Sequence, residues 1–275
     1  MFAAPQGHFL FSKSLTPKKA MSYTKNMTIF FALAFAALGA ILASFTAVIA
    51  ERIYTGQAWW KGRSRCNACR RELTILDLIP IVSWIVYRGR CRTCRSRIPA
   101  TYTVFEIALA LSFALAYLSF GLSFPLFVLL AALVVLGFIV VYDLRHTVVP
   151  AWSSTAFVLL SILFTLVRPS IVSEFLINTG AAVVIGIGFF LLYALSRGRA
   201  MGLGDTPVAF ALALLAGREA LAGLMFSFWI GAVVGILILV MRRGGPKMGI
   251  EVPFVPFLAV GFLLALFTQW NPFIF

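Results

Sequence analysis

Residues 125–145 read PLFVLLAALVVLGFIVVYDLR. From Pro125 to Val141 seventeen residues pass without a charge, the lower end of the roughly 17 to 25 that let a helix cross a bilayer core. An aspartate, Asp143, then closes the run. Carboxylates in membrane segments are costly to keep, so each one is a functional candidate by default. The rest of the chain has the same character. It has 275 residues, 61% of them hydrophobic and only 12% charged, with a mean hydropathy of +0.99. That composition excludes an ordinary soluble domain and indicates a polytopic membrane protein.

Further apolar runs stand at Thr28–Ala50, Ala100–Phe120, Ala151–Val167, Phe175–Leu195, Leu221–Met241 and Pro253–Trp270. Thr206–Ala216 is shorter, and by length alone it fits a re-entrant helix. Charge placement decides the matter once the long polar loop after the first run is taken as cytoplasmic. Eight crossings put the eleven Lys and Arg between Arg52 and Arg97 on one side with Arg145, Arg197, Arg199, Arg242, Arg243 and Lys247. A non-crossing Thr206–Ala216 would export the last three, against the positive-inside rule. The expectation is therefore all-α, with about eight transmembrane helices, both termini outside, and Asp143 and Asp205 on the cytoplasmic side.

Lys18, Lys19 and Lys25 before the first run resemble the n-region of a signal peptide, with cleavage after Ala50. That run is longer than the 7 to 15 residues of an h-region, so an uncleaved first helix is expected over 28–50. The tail, 1–27, lacks apolar periodicity and is expected to be disordered, with Met21 and Met27 as alternative starts. The excess of 23 Lys and Arg over 9 Asp and Glu does not indicate nucleic acid. Nearly half of the bases lie in one loop, and no basic helix is interleaved with exposed aromatics, so membrane orientation accounts for them.

That loop, 51–99, carries Cys66-Asn67-Ala68-Cys69 and Cys91-Arg92-Thr93-Cys94, with 21 residues between the pairs. Thiols stay reduced in a cytoplasmic compartment, so a disulfide framework is not expected. Two C-x-x-C turns fit a four-thiolate zinc shell of the ribbon kind. Surrounding arginines offset its negative charge. Four protein ligands leave no open position, so zinc would fold the loop and the chemistry must come from elsewhere. Asp77–Trp84, followed by Arg88-Gly89-Arg90, reads as a segment lying on the membrane surface or over the helix bundle.

The chemistry falls to Asp143 and to Asp205 in Gly202-Leu203-Gly204-Asp205-Thr206-Pro207. Two carboxylates at helix ends on one side of a bundle can share a proton, one activating water and the other polarising a carbonyl. Each also has a simpler role available. Asp205 before Thr206-Pro207 is suited to capping a helix, and Asp143 is placed to pair with Arg145. Gly202 and Gly204 would permit close backbone approach of a substrate strand.

Taken together, the GLGD stretch with an upstream membrane aspartate resembles the GxGD intramembrane aspartyl proteases. The cysteine loop narrows the resemblance to the bacterial type IV prepilin peptidases. Ser44-Phe45, Asp77-Leu78-Ile79-Pro80 with Ser83-Trp84, Arg88–Arg92, Tyr102 with Glu106, Pro150, and Pro253-Phe254-Val255-Pro256-Phe257 also carry it. The resemblance implies an inner-membrane peptidase that removes the basic leader of prepilins and pseudopilins at the cytoplasmic face. It further implies N-methylation of the new terminus with S-adenosylmethionine, Asp143 and Asp205 as the catalytic pair, and Glu106 in substrate positioning or methyl transfer. It divides the chain into helix 28–50, zinc loop 51–99 and peptidase domain 100–275. Ala47 stands where the family commonly has Asn, Thr103 where it has Pro, and Val255 where it has Gly. Two other classes remain open: a proton- or ion-coupled transporter, disfavoured by the lack of an internal repeat, and a non-catalytic zinc-ribbon component of a secretion assembly, which leaves GLGD unexplained.

Overall fold

The computed structural model describes residues 17–58, 60, 62–168, 171–199, 201–241 and 253–270. Among these the chain is helical, with isolated β-bridges only at Arg65–Glu72 and Arg90–Arg97. The helices are α1 (Pro17–Tyr54), the short α2 (Val82–Val86), α3 (Ala100–Phe120), α4 (Phe124–His146), α5 (Ala151–Val167), α6 (Val172–Ser196), α7 (Asp205–Ala216), α8 (Ala220–Met241) and α9 (Val255–Thr268). Every apolar run anticipated from the sequence is a helix, to within about five residues at its ends except the start of α1. The tail expected over 1–27 is helical from Pro17 onward, the Lys-rich stretch continuing a helix that the apolar run nucleates. Residues 1–16 lie outside the described residues.

Among the described residues five stretches are long and apolar enough to cross a membrane: Lys25–Tyr54, Ala100–Phe120, Phe124–His146, Val172–Ser196 and Asp205–Met241. The last contains α7, a 3-10 turn at Gly217–Glu219 and α8. α5 and α9 are shorter apolar helices.

Contacts at the two ends of the bundle fix the helix directions. At one end Arg168 covers the Phe120 ring, Gly217 lies beside Asn178 and Arg168, and Arg218 pairs with Glu174. At the other end Glu51 pairs with Arg145, and Gly204 packs on Val149. The C-termini of α1 and α4 and the N-terminus of α7 therefore meet, and helices adjacent in sequence run in alternating directions.

α7 sits at the centre, packed against α5, α6, α8 and α9. Val208, Ala209 and Ala211–Ala216 are all buried, so a helix of only twelve residues is enclosed by protein on nearly all sides. The stripe Gly39, Ala43, Ala47 and Ala50 on α1 lets that helix lie close against α3. The fully buried Ser161 and Ser227 are satisfied locally, donating to Phe157 O and Gly223 O. Large apolar side chains are left exposed on the outer faces of α6 and α8.

Candidate active site

Asp143 lies in the last turn of α4 and is 4% exposed. Thr147 ends that helix in the left-handed conformation, its N–H donating to Asp143 O at 2.8 Å. One side of the carboxyl faces the start of α9, where the backbone N–H of Val255 donates to it. Its Oδ2 is buried and has no hydrogen-bond partner. The Pro253–Phe257 stretch, noted in the sequence without a role, thus supplies backbone to this site.

Asp205 is the first residue of α7, and Asp143 lies within its electrostatic reach. The Gly202–Asp205 turn is closed by Asp205 N–H to Gly202 O at 3.2 Å, and the Gly202 N–H donates to the Asp205 carboxylate. Asp205 does not cap the helix. Gly204 holds the N-cap place, and no side chain bonds there. A Cβ on Gly204 would stand 3.0 Å from Val149 Cβ, so its bareness seats α7 against the α4–α5 link. A Cβ on Gly202 would meet nothing closer than Asp205 Oδ2 at 3.8 Å, which leaves room beside the carboxylate.

The second simple role fails as well. Arg145 pairs with Glu51 of α1, and its guanidinium lies 4.6 Å from the Tyr102 ring centre. Next to it His146 stacks on Tyr54, ring centres 3.5 Å apart. Nothing local signals these cross-helix contacts, because Glu51 and Arg145 are 94 residues apart. Both aspartates are left with a carboxyl that no cation neutralises among the described residues.

Glu106 is buried in α3 but does not join the aspartates. Its carboxylate accepts the Ile81 N–H at 2.7 Å and a hydrogen bond from Ser44. Ile81 has φ +63 and ψ −53, with Val82 N–H to Pro80 O at 2.5 Å, a tight γ-turn that a β-branched residue seldom adopts. The charge on α3 holds that turn against the bundle.

The four cysteines converge. All their Sγ atoms lie within 4.8 Å of one another, and Cys66 and Cys94 are 3.8 Å apart. Tetrahedral zinc with bonds of about 2.3 Å separates its sulfurs by about 3.8 Å, whereas a disulfide needs about 2.05 Å. The two turns repeat one design. Arg70 and Arg95 take positive φ after each C-x-x-C, their N–H groups returning to Cys66 O and Cys91 O at 2.9 and 3.0 Å. N–H groups of Cys69 and Ala68 bring the Cys66 thiol down to about 6. Cys69 receives the Arg71 N–H, yet burial and the neighbouring thiols push it up to about 11. Four crowded thiols cannot all ionise alone, and a dication would relieve that conflict, so the donor set fits zinc.

Asp77 anchors the linker between the turns. Burial raises its carboxyl, but hydrogen bonds from Thr74 N–H and Oγ1, both 2.9 Å, and the Arg71 guanidinium at 3.0 Å hold it below the ordinary carboxylate range. Beneath the cysteine turns a cavity of about 770 Å³ opens between the loop, α1 and α3. Glu51, Trp84, Tyr102 and Glu106 line it, as does Ala47, the position where an Asn is commonly found.

Comparison with known proteins agrees with this layout. A model of the bacterial peptidase A24 N-terminal domain matches residues 37–120, and a model of the type IV leader peptidase family matches residues 130–240. A prepilin leader peptidase/N-methyltransferase of Bacillus subtilis is 31% identical over 82% of this chain and 90% of its own length. One from Myxococcus xanthus is 33% identical over 76% of this chain, which spans 64% of that relative. An Escherichia coli type 4 prepilin-like proteins leader peptide-processing enzyme is 28% identical over 75% of this chain and 76% of its own length. No solved structure matches the chain at a significant level.

Proposed function

Because this chain belongs to the type IV leader peptidase family, we propose that it removes the leader of type IV prepilins and pseudopilins, with Asp143 and Asp205 as its catalytic pair. The observation that supports the reading is that two carboxyls from two helix ends lie within electrostatic reach of one another while neither serves a cap or an ion pair among the described residues. In this reading the protein is a multi-pass resident of a bacterial inner membrane. Loop 51–99 is its zinc module and 100–275 its peptidase domain, and both aspartates face the cytoplasm.

The pair works as a unit holding one proton. Asp205 stands at a helix N-terminus, where the dipole favours a negative charge, and Asp143 at a C-terminus, where it disfavours one. The bias is about 0.3 to 1 kcal/mol, enough to choose the holder when two neighbours compete. Asp205 takes a proton from water as its oxygen attacks the scissile carbonyl carbon, and the Asp143 proton goes to the carbonyl oxygen. Collapse of the tetrahedral adduct breaks the C–N bond as one hydroxyl returns its proton to Asp143 and the leaving amine takes the proton held by Asp205. The open space beside Gly202 is where a substrate backbone would approach.

N-methylation of the new terminus belongs to the same proposal, and S-adenosylmethionine would supply the methyl group. The cavity below the cysteine turns suits such a donor in size. Glu106 and the Arg145-paired Glu51 line it with carboxylates, and Trp84 and Tyr102 line it with aromatic rings, a lining suited to a cationic ligand. Glu106 is then a positioning residue for this chamber. The purified protein, incubated with a synthetic prepilin-like peptide with and without labelled methyl donor, is expected to yield the shortened peptide by mass spectrometry. Equilibrium dialysis of the donor without peptide reads its binding separately. An intact peptide would reject the peptidase reading.

A further inference from the structure

The linker Ile75–Val86 leaves most of its large apolar side chains exposed, with Trp84 turned inward toward the cavity. Its 3-10 turn and α2 contain no buried residue, and Ile75 is 81%, Ile85 62% and Val86 63% exposed. An apolar patch of this kind marks an interaction surface. It is also held firmly. Asp77 is fixed by Thr74 and Arg71, the Ile81 N–H is bound by Glu106, and Trp84 Nε1 donates to Ile98 O at 3.2 Å.

Those tethers set its depth. Glu106 is six residues inside α3, so its Cα lies about 9 Å along the helix axis from Ala100. The Ile81 amide that it grips is therefore held beside the first two turns of a membrane-spanning helix, at the level of the headgroups and upper acyl chains. Exposed arginines Arg88, Arg90, Arg92, Arg95 and Arg97 follow directly in sequence, and loop 51–99 holds eleven Lys and Arg against three carboxylates. A basic rim beside an apolar face matches an anionic membrane surface.

We propose that Ile75–Val86 is an interfacial foot, its apolar side chains seated in the cytoplasmic leaflet of the host bilayer while the arginines that follow engage anionic lipid headgroups. The foot would hold the cysteine turns over the mouth of the bundle independently of any peptide substrate. This inference does not rest on the peptidase reading, because its test involves no cleavage.

The test places the photoreactive residue p-benzoylphenylalanine at Ile75 or Ile85 in the full chain. The protein is reconstituted in vesicles of phosphatidylethanolamine and phosphatidylglycerol at about three to one, a partly anionic surface. Irradiation with and without a prepilin-like peptide is followed by mass spectrometry of the adducts. Both positions are expected to yield lipid adducts regardless of peptide, with phosphatidylglycerol enriched roughly twofold over its bulk share. Arg88→Gln combined with Arg92→Gln and Arg95→Gln should abolish the enrichment and keep the adducts. Both sites are exposed, so the substituted chains should fold, and hydrogen exchange of α3–α9 matching the unsubstituted protein verifies it. Adducts to the peptide or the protein in place of lipid, or no adduct, would overturn the foot, and adducts at the bulk lipid ratio would overturn the arginine rim.

Discussion

Arg145 pairs with Glu51 of α1 and not with Asp143, two residues before it on α4. The pair ties the C-terminal ends of α1 and α4 together and engages Arg145 away from the aspartates. Glu51 is about half exposed, so the pair contributes about 0.2 to 1 kcal/mol, with a similar amount from the Tyr102 contact. Arg145→Ala should lower resistance to chemical unfolding by about 0.5 to 2 kcal/mol and slow cleavage without abolishing it. Arg145→Lys should recover part of both. Complete loss of cleavage in a folded Arg145→Ala protein would mean that Arg145 takes part in the chemistry.

Glu106 and Ile81 give a second prediction. Glu106→Gln keeps an acceptor for the Ile81 N–H, whereas Glu106→Ala leaves that donor unpaired, at about 1 to 3 kcal/mol. Hydrogen exchange at residues 78–84 should rise sharply in Glu106→Ala and little in Glu106→Gln. Equal protection in both variants would show that the turn stands without the carboxylate.

The two glycines of the GLGD stretch should separate. Gly204→Ala drives a methyl against Val149, and overpacking of this kind costs about 1 to 3 kcal/mol. Stability and kcat should fall together. Gly202→Ala meets open space, so its stability should be unchanged and its effect should appear in KM. Steady-state kinetics beside a denaturation curve read both, and identical behaviour of the two variants would contradict this division.

Much of this arrangement is legible in the sequence, for physical reasons. Uninterrupted apolar runs locate the helices, because long stretches without a charge have few alternatives to a buried or lipid-facing helix. The paired cysteines announce a common centre by spacing. The aspartates stand out because carboxylates are rare in such segments. What escapes is whatever depends on contact between distant residues. The alternative roles for Asp143 and Asp205 looked plausible locally, and only the cross-helix pairing of Arg145 and the N-cap place of Gly204 remove them. Gly204 reads as an opening for substrate but is filled by Val149. The Ile81 turn contradicts local preference, since nothing in a β-branched residue suggests positive φ. The helical backbone of 17–27 carries no local signal, because its pattern is polar and its helicity is inherited from the run beyond it.

The cysteine centre predicts one zinc per chain by elemental analysis, lost on Cys66→Ser or Cys91→Ser. Metal loss should release the order of loop 51–99, seen as faster hydrogen exchange there, while α4 and α7 keep their protection. A well-ordered loop in metal-free protein would refute a structural zinc.

The central claim is that Asp143 and Asp205 form one catalytic unit, and the most direct measurement is the rate of prepilin-peptide cleavage by Asp143→Asn and Asp205→Asn, each verified as folded by hydrogen exchange. Removing either member of a proton-sharing pair should lower kcat by about 10² to 10⁴-fold or more, and the double variant should be little worse than either single one. Cleavage within a few fold of the unsubstituted protein in either variant would contradict the account and return the transporter or adaptor reading.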